Sequence, residues 1–271
     1  MVTQEQRKRQ LAREKFLRQQ QRRTAARRKS RVRNSVIASV LGVILVGSLA
    51  LYTTGVMKDD DKTNASADTT PSATPSAVKD PCEKAASGKV EELTWKKEPA
   101  MSIDKSADYT MKLATTCGDI DIALKTAAAP HTVNSFDFLA GEGYFDHTKC
   151  HRLTSSGIYV LQCGDPTGTG SGGPGYTIPD ENLKDKSLKD NVYPAGTVAM
   201  ANTSQPNTGG SQFFLVYQDS QLPPSYTPFG TVSAEGMKVL QKIAAAGENT
   251  GAGDGAPNAT VVIDKATVTK S

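Results

Sequence analysis

Residues 150–165 read CHRLTSSGIYVLQCGD, and this stretch carries most of the information about the fold. Its two ends, residues 150–153 and 159–163, are short and largely apolar. A Ser/Gly-rich turn separates them, which predicts two neighbouring β-strands. The first strand carries Arg152, the only arginine after residue 34, where lysine supplies the other positive charges. Because the guanidinium group is a planar fork with several fixed donors, we expect Arg152 to lie where hydrogen-bond geometry matters.

Short strands dominate the sequence on both sides of this stretch. Alternating or continuous apolar segments predict further strands at residues 111–116, 120–124, 197–201, 213–217 and 260–269. Two helices are also predicted, one between Pro130 and Gly141 and one at residues 234–246, which has an apolar face. Many short strands with two separated helices favour a mainly β fold, a barrel or a sandwich with helical caps.

The residue types near Arg152 indicate the kind of site. The segments that follow it contain amides and aromatic rings, at Gln162, Asn202, Gln212 and Phe214. They lack the paired carboxylates expected for hydrolysis and the Gly-Lys-Ser loop expected for phosphate binding. We therefore expect a site that grips a neutral peptide carbonyl, with no metal and no cofactor.

Charge divides the chain into two unequal parts. Residues 1–34 contain thirteen basic and two acidic residues, whereas the remainder contains nineteen basic and twenty-six acidic residues. Between the two clusters of charge, residues 35–57 carry none. A helix of that length spans ~34 Å, enough for a hydrocarbon core of ~30 Å. The positive-inside rule then predicts a single-pass membrane anchor with residues 1–34 as a cytoplasmic arm. A signal peptide cleaved after Ala50 is the alternative.

The segments on either side of this anchor are predicted to lack a core of their own. The basic arm suits contact with anionic lipid headgroups, and it lacks the interleaved aromatic residues and the fold signature of a nucleic-acid-binding segment. Residues 58–106 are predicted to be a Ser/Thr/Pro-rich extracytoplasmic tether, because their first part has almost no large apolar residues. Trp95, near the end of the tether, is expected to pack on the edge of the domain formed by residues 107–271.

The cysteines favour disulfides. All four lie on the predicted outer side: Cys82, Cys117, Cys150 and Cys163. An even number of cysteines in an oxidising compartment indicates disulfides. A zinc site is the alternative, since His147 and His151 lie near two of the cysteines, but there is no C-x-x-C pair. If the two strands of residues 150–163 form an antiparallel hairpin, Cys150 and Cys163 come close together at its open end. This pairing leaves Cys82 to join Cys117.

Six motifs within residues 109–271, about 60% of the chain, resemble the cyclophilin family of peptidyl-prolyl cis–trans isomerases. In family order they are His151-Arg152-Leu153, Gln162-Cys163-Gly164-Asp165, Gly170-Ser171-Gly172-Gly173, Met200-Ala201-Asn202, Gly210-Ser211-Gln212-Phe213-Phe214 and Phe229-Gly230. The resemblance implies an eight-stranded antiparallel β-barrel capped by two α-helices, with the substrate groove on its outer face. Together with the anchor, it suggests a bacterial, membrane-anchored form of the family.

The resemblance also implies a function and a set of site residues. Arg152 is the implied catalytic residue, and the implied substrate-binding residues are Tyr159, Val160, Gln162, Gly170, Ala201, Asn202, Thr203, Gln212, Phe214, Leu222 and Tyr226. The expected activity is rotation of X-Pro bonds in proline-containing segments of exported proteins, which assists their folding at the outer face of the membrane. A non-catalytic proline-peptide-binding or chaperone module of the cell envelope is the alternative.

Four features leave questions for the structure. A lone arginine on a strand often pairs with a carboxylate, and Asp165 is the candidate. Nine residues separate Arg152 from Gln162, where the commonest eukaryotic pattern has seven, so residues 154–158 are predicted to form a longer turn. Gln221 occupies the position where cyclosporin-sensitive relatives carry tryptophan, and Tyr226 occupies that of a groove histidine.

Overall fold

The computed structural model describes residues 80–270. The predicted basic arm, the predicted anchor and the tether before residue 80 lie outside these described residues. Within residues 80–270, none of the helices combines the length and apolar character that crossing a membrane requires.

The main structural element of the described chain is one curled, antiparallel sheet. The strands, in chain order, are β1 (Tyr109–Thr115), β2 (Gly118–Leu124), β3 (Thr148–Lys149), β4 (Arg152–Thr154), β5 (Val160–Cys163), β6 (Val192–Tyr193), β7 (Thr197–Met200), β8 (Phe213–Val216), β9 (Ser220–Gln221), β10 (Pro228–Val232), β11 (Asp254–Gly255) and β12 (Val262–Lys270). Ten of them form the main sheet in the order β11-β4-β5-β8-β7-β10-β2-β1-β12-β3, and β6 pairs with β9 separately. The fold is therefore mainly β, as the sequence predicts.

The sheet differs from the expected eight-stranded barrel in its strand count. The strand predicted at residues 150–153 begins only at Arg152, as β4, and the separate strand β3 precedes it. β3 pairs with β12 at one end of the sheet, whereas β4 pairs with β5 near the other. The backbone N–H of Cys150 donates to Val261, and that of His151 donates to Gln162. These two residues thus connect the two ends of a curled half-barrel. The two-residue strand β11, which pairs with β4, also adds to the count.

Two helices pack against the sheet. The first, α1 (Pro130–Gly141), begins with proline at a position where the missing N–H costs no hydrogen bond. It buries Phe136 against the ring of Phe229, with the ring centroids 4.6 Å apart. The second, α2 (Ala234–Ala245), begins after Ser233, whose hydroxyl accepts a hydrogen bond from the backbone N–H of Gly236 at 3.1 Å. Both helices agree with the predicted ranges.

The two faces of the strands β5 and β8 serve different hydrophobic clusters. Leu161 and Leu215 point into the main core, which also contains Phe136 of α1. Their neighbours Val160 and Phe214 point to the opposite face and belong to a second, smaller cluster. Because side chains alternate along a strand, one pair of strands closes the core and also presents an apolar surface on the other side. That surface forms the floor of the site described below.

Residues 80–106, here called the strap, are the second part of the predicted tether, and they pack against the rest of the domain. The ring of Trp95 lies edge-on against Phe138, with the centroids 5.0 Å apart, and its backbone N–H donates to the carbonyl of Pro174 at 2.8 Å. The buried amide of Asn134 accepts a hydrogen bond from the backbone N–H of Ser102 at 2.8 Å. Trp95 packs on the domain as expected, and the packed part of the chain includes the strap, which precedes the predicted boundary at residue 107.

The structure contains the two disulfides that the sequence predicts. Cys82 is bonded to Cys117, which fastens the strap to the turn of the first hairpin. Cys150 is bonded to Cys163, which links the start of the Arg152 strand to the end of the Gln162 strand. The sulfur atoms that a zinc site would need are thus bonded to each other.

Candidate active site

Strand register brings three of the predicted site residues into one row. Arg152 of β4 pairs with Gln162 of β5, which pairs with Phe214 of β8, which in turn pairs with Ala199 of β7. Paired residues of neighbouring strands extend their side chains on the same face of a sheet. The arginine, the amide and the aromatic ring therefore lie side by side on the outer face, although 62 positions separate the first from the last.

A cavity of about 220 Å³ opens over this row, here called the Arg152 cavity. Its lining residues are Arg152, Ile158, Val160, Gln162, Ala201, Asn202, Phe214, Leu222 and Tyr226. Phe214 and Val160 are almost completely buried and form its apolar floor. One charged group and two amides thus surround an otherwise hydrophobic hollow.

The partner of Arg152 is Asp254, not the predicted Asp165. Its Nε donates to one carboxylate oxygen of Asp254 at 2.7 Å, and its Nη2 donates to the other at 2.8 Å. Its Nη1 donates to the side-chain oxygen of Gln162 at 3.2 Å. The hydrogen bond from Arg152 lowers the pKa of Asp254, so that this carboxyl group is ionised at neutral pH. Three of the five N–H donors of the guanidinium group are thus engaged, and two remain for a ligand.

The aromatic end of the cavity rests on a buried tyrosine. Tyr226 packs edge-on against Phe214, with the ring centroids 5.4 Å apart. Beneath it, the hydroxyl of Tyr193 donates to the backbone carbonyl of Tyr226 at 2.8 Å and accepts from its N–H at 3.3 Å. Burial raises the pKa of Tyr193 to about 12, so its hydroxyl keeps the proton that it donates. These contacts hold the segment that carries Tyr226 against the rim of the cavity.

Two residues differ from the predicted set. Tyr159 is not among the residues that line the Arg152 cavity, and its ring packs against Tyr217 with a centroid distance of 5.9 Å. Ile158 lines the cavity instead. Since side chains alternate along an extended segment, residues 158, 160 and 162 share one face. That period of two, applied backwards from Gln162, would have identified Ile158 from the sequence.

A wider depression of about 840 Å³ adjoins the first, here called the glycine groove. Its lining residues are Gln162, Gly170, Ser171, Gly172, Gly173, Pro174, Gly175, Tyr176, Thr177, Ala201, Asn202, Thr203, Thr208, Gly210, Ser211 and Gln212. The predicted residues Gly170, Thr203 and Gln212 lie here, and Ala201 and Asn202 border both depressions together with Gln162. The predicted substrate-binding set is therefore spread over two adjacent hollows.

An amide pair connects the two hollows. The side-chain N–H₂ of Gln162 donates to the oxygen of Gln212 at 2.9 Å, and the N–H₂ of Gln212 donates to the carbonyl of Gly172 at 2.9 Å. Because Gln162 also accepts from Arg152, a continuous chain of hydrogen bonds runs from Asp254 to the far wall of the glycine groove. The orientation of Arg152 is thus linked to the loop that forms this wall.

Asp165 holds that loop in place. Its fully buried carboxylate accepts backbone N–H hydrogen bonds at 2.6–3.1 Å from Thr167, Thr169, Gly170, Ser171 and Gly172. Burial alone would raise the pKa of Asp165, but these donors and the Thr167 hydroxyl outweigh it and lower the pKa. The residue that the sequence offers as a partner for Arg152 therefore shapes the glycine groove instead.

Gln221 lies outside both hollows. It is exposed at the end of β9, where it pairs with Val192, and the next residue, Leu222, turns into the Arg152 cavity. The position at which cyclosporin-sensitive relatives carry tryptophan thus adjoins the cavity wall without lining it.

Comparisons with known proteins agree with this geometry. The family model for "Cyclophilin type peptidyl-prolyl cis-trans isomerase/CLD" matches residues 110–268. The probable peptidyl-prolyl cis-trans isomerase B of Mycobacterium leprae is 52% identical over 166 residues, which cover 58% of this chain and 56% of that protein. Its namesake from Mycobacterium tuberculosis is 49% identical over 165 residues, which cover 58% and 53% of the two chains. The chain thus spans little more than half of these two relatives.

A shorter relative and a solved structure match more completely. The peptidyl-prolyl cis-trans isomerase of Helicobacter pylori is 40% identical over 141 residues, which cover 51% of this chain and 81% of that protein. The crystal structure of a cyclophilin type isomerase from Cryptosporidium parvum, in the presence of the dipeptide Ala-Pro, has a TM-score of 0.50 and 28% identity. It covers 60% of this chain and 99% of that one. Because the family model accounts for more than half of the sequence, including the curled sheet and the row of Arg152, Gln162 and Phe214, this chain belongs to the cyclophilin-type peptidyl-prolyl cis–trans isomerase family.

Proposed function

We propose that residues 107–271 catalyse the cis–trans rotation of X-Pro peptide bonds in exported proteins, at the outer face of a membrane in which residues 35–57 are the anchor. The observation that carries the proposal is the position of Arg152. Its two unengaged N–H groups lie beside an apolar hollow of about 220 Å³ whose floor is Phe214. A hollow of this kind suits a single small apolar ring, and the donors suit the carbonyl next to it.

The chemistry requires neither a nucleophile nor a metal. Rotation about a peptide C–N bond has a barrier of ~18–20 kcal/mol, because the bond has partial double-bond character. A proline ring held on Phe214 leaves its own carbonyl within reach of the Arg152 donors. One of the two unengaged donors can bind this carbonyl, and the other can donate to the imide nitrogen as the bond twists, which localises the lone pair on the nitrogen and weakens the conjugation. Donors that are fixed before the reaction stabilise such a transition state without reorganising during it.

The glycine groove extends the site along the peptide. It shares Gln162, Ala201 and Asn202 with the Arg152 cavity, so a chain that places proline in the cavity can continue into the groove. Five of its sixteen lining residues are glycine, which leaves room for side chains of different size. We therefore expect the groove to take the residues that precede proline.

Two features support action on exported proteins. Two disulfides join all four cysteines of the chain, and disulfides persist in oxidising compartments outside the cytoplasm. The uncharged residues 35–57, which follow a basic segment, have the length and flanking charge of an anchor whose C-terminal side faces outwards. Protease treatment of intact cells tests this topology, because an external domain is digested while the basic arm is protected.

The width of the glycine groove favours a second candidate, a module that holds proline-containing peptides without isomerising them. One experiment separates the two candidates. The purified full-length protein is mixed with an X-Pro peptide, and both peptide binding and the rate of cis–trans exchange are measured by NMR. Exchange that is faster than in buffer supports the isomerase. Binding without faster exchange supports the second candidate, and the absence of both effects contradicts both.

A further inference from the structure

The only arginine after residue 34 is held by a carboxylate that lies 102 positions away in the sequence. The short strand β11 pairs with β4, so that Asp254 lies opposite Thr154 and Gly255 opposite Leu153. This pairing brings the Asp254 carboxylate to the edge of the Arg152 cavity, where it contacts Arg152 and does not itself line the hollow. Its position therefore depends on the register of two backbone segments.

The geometry of the contact determines the plane of the guanidinium group. Two parallel hydrogen bonds, from Nε at 2.7 Å and from Nη2 at 2.8 Å, fix the fork against rotation as well as translation. The bond from Nη1 to Gln162 adds a third fixed point. Without Asp254, a long side chain whose surface is 38% exposed would be held by one amide only. The direction of the two unengaged N–H groups would then vary.

The loop that carries Asp254 is itself braced. Residues 248–255, here called the acidic loop, fold around the carboxylate of Glu248, which accepts the backbone N–H of Thr250 at 2.6 Å and that of Gly253 at 2.8 Å. The loop also rests on the turn after β4, since the N–H of Ser155 donates to the carbonyl of Gly253 at 2.9 Å. Gly253 has a φ of +87°, and a Cβ atom there would lie 2.4 Å from the Cβ of Ser156. Only glycine allows this close approach.

We propose that Asp254 is a positioning residue for Arg152, and that the acidic loop exists in this form to present it. The inference rests on the proposed isomerase function, since the group that it orients is the group that contacts the proline carbonyl. Ionisation of Asp254 at neutral pH is consistent with this role, because the Arg152 hydrogen bond lowers its pKa. Such a residue affects the rate of rotation of a bound peptide more than the affinity for it.

The test compares variants of the full-length protein. Asp254→Asn keeps the size of the side chain but replaces one acceptor oxygen by an N–H₂ group that repels the fork. We expect kcat to fall about tenfold with KM nearly unchanged, as for an interaction that acts mainly in the transition state. Asp254→Glu should recover part of the loss, because it restores both acceptors on a longer stem. The matched control is Asp104→Asn, which breaks a comparably exposed ion pair with Lys270 far from the cavity.

A double-mutant cycle separates positioning from a general effect on the fold. If Asp254 acts through Arg152, adding Asp254→Asn to Arg152→Ala should cause no further loss, whereas two independent effects would multiply. Further loss in the double variant, a change confined to KM, or wild-type rates for Asp254→Asn would each overturn the inference. A wild-type protein that does not accelerate exchange would overturn the proposed function and this inference with it. Activity that is insensitive to Asp254 would overturn this inference alone.

Discussion

The Arg152 cavity and the glycine groove share Gln162, yet they are built in different ways. Arg152, Gln162 and the apolar floor of Val160 and Phe214 come from the paired strands β4, β5 and β8, so this part of the cavity follows from strand register. The groove is made largely of loop backbone, and the buried carboxylate of Asp165 holds its wall. Strand pairing thus places Arg152, Gln162 and Phe214 in the cavity, whereas the ionised side chain of Asp165 determines the conformation of the groove wall.

The strap is a second difference between the two hollows, because its residue Trp95 contacts the wall of the glycine groove. Gly175 has a φ of +86°, and a Cβ atom there would lie 2.7 Å from the carbonyl oxygen of Trp95. The N–H of Trp95 donates to Pro174, the preceding residue of the groove wall. A segment outside the match to the family model thus lies directly behind the wall of the glycine groove, the part of the site that we propose takes the residues before proline. We therefore expect substitutions in the strap or in the groove wall to lower the free energy of unfolding more than they lower kcat/KM.

The largest expected effect is on the cavity side. Arg152→Ala should lower kcat/KM by at least ~10²-fold, about 2.7 kcal/mol, because it removes the only charged group in the cavity lining. Arg152→Lys should recover little, since an ammonium group does not reproduce the fork. NMR exchange rates on an X-Pro peptide measure both. Lys238→Ala, which removes an exposed cation on α2, is the control. Near-normal rates in either Arg152 variant would contradict the assignment.

The two disulfides allow a direct comparison of the two regions. Removing either pair by double alanine substitution should lower the free energy of unfolding by about 3 kcal/mol. Only the loss of Cys150–Cys163, which encloses the turn between Arg152 and Gln162, should also lower kcat/KM, by roughly tenfold. The Cys82–Cys117 variant should keep its activity. Urea denaturation and kinetics measure the two effects, and peptide mapping of the alkylated wild-type protein checks the pairing. Equal loss of activity in both variants would remove the distinction.

Asp165→Asn tests the carboxylate that holds the groove. We expect it to lower the free energy of unfolding by about 2 kcal/mol at pH 7, because five backbone donors lose a charged acceptor. The pKa of Asp165 is lower in the folded protein than in the unfolded chain. Its contribution is therefore present above the unfolded pKa of ~3.9 and is lost as the pH falls through the folded value.

The pH dependence of the effect of Asp165→Asn distinguishes the loss of the charge from a change in packing. The difference in unfolding free energy between the wild type and Asp165→Asn should stay constant from pH 7 to about 5 and should shrink as the pH is lowered below ~3.9 in urea titrations. Fluorescence of Trp95, the only tryptophan, follows unfolding on the groove side. A difference that stays constant with pH would show that size or packing at position 165, and not its charge, stabilises the loop.

The smallest expected effect concerns Gln221. Cyclosporin should bind this protein weakly, since the position lacks the indole that sensitive relatives carry. Gln221→Trp should raise the affinity by roughly fivefold, about 1 kcal/mol, because an indole would extend the apolar wall beside Leu222. Titration calorimetry on both proteins measures the change. Tight binding by the wild type, or no gain in the variant, would show that another part of the cavity determines the affinity.

The row of Arg152, Gln162 and Phe214 could be predicted because these residues lie on regular strands. Gln162 and Phe214 fall in motifs that occur in family order along the sequence, and the paired strands explain why Cys150 and Cys163 are bonded. The alternation along β5 would also have identified Ile158, but this residue falls within the predicted longer turn of residues 154–158. Asp254 could not be identified from the sequence, since a two-residue strand in a Gly-rich loop has no detectable periodicity.

The hairpins, the two helices and the isolation of Arg152 could be read from the sequence, because each follows from local periodicity or from residue identity. The disulfide pairing could be predicted only on the assumption that residues 150–163 form a hairpin. The three-dimensional fold was needed to show which carboxylate meets Arg152, how residues 150 and 151 join β3 to β4, and that the strap packs behind the groove. These features depend on the curvature of the sheet, which brings together residues far apart in the chain. Curvature arises from the packing of the whole domain, so no short stretch of sequence encodes it.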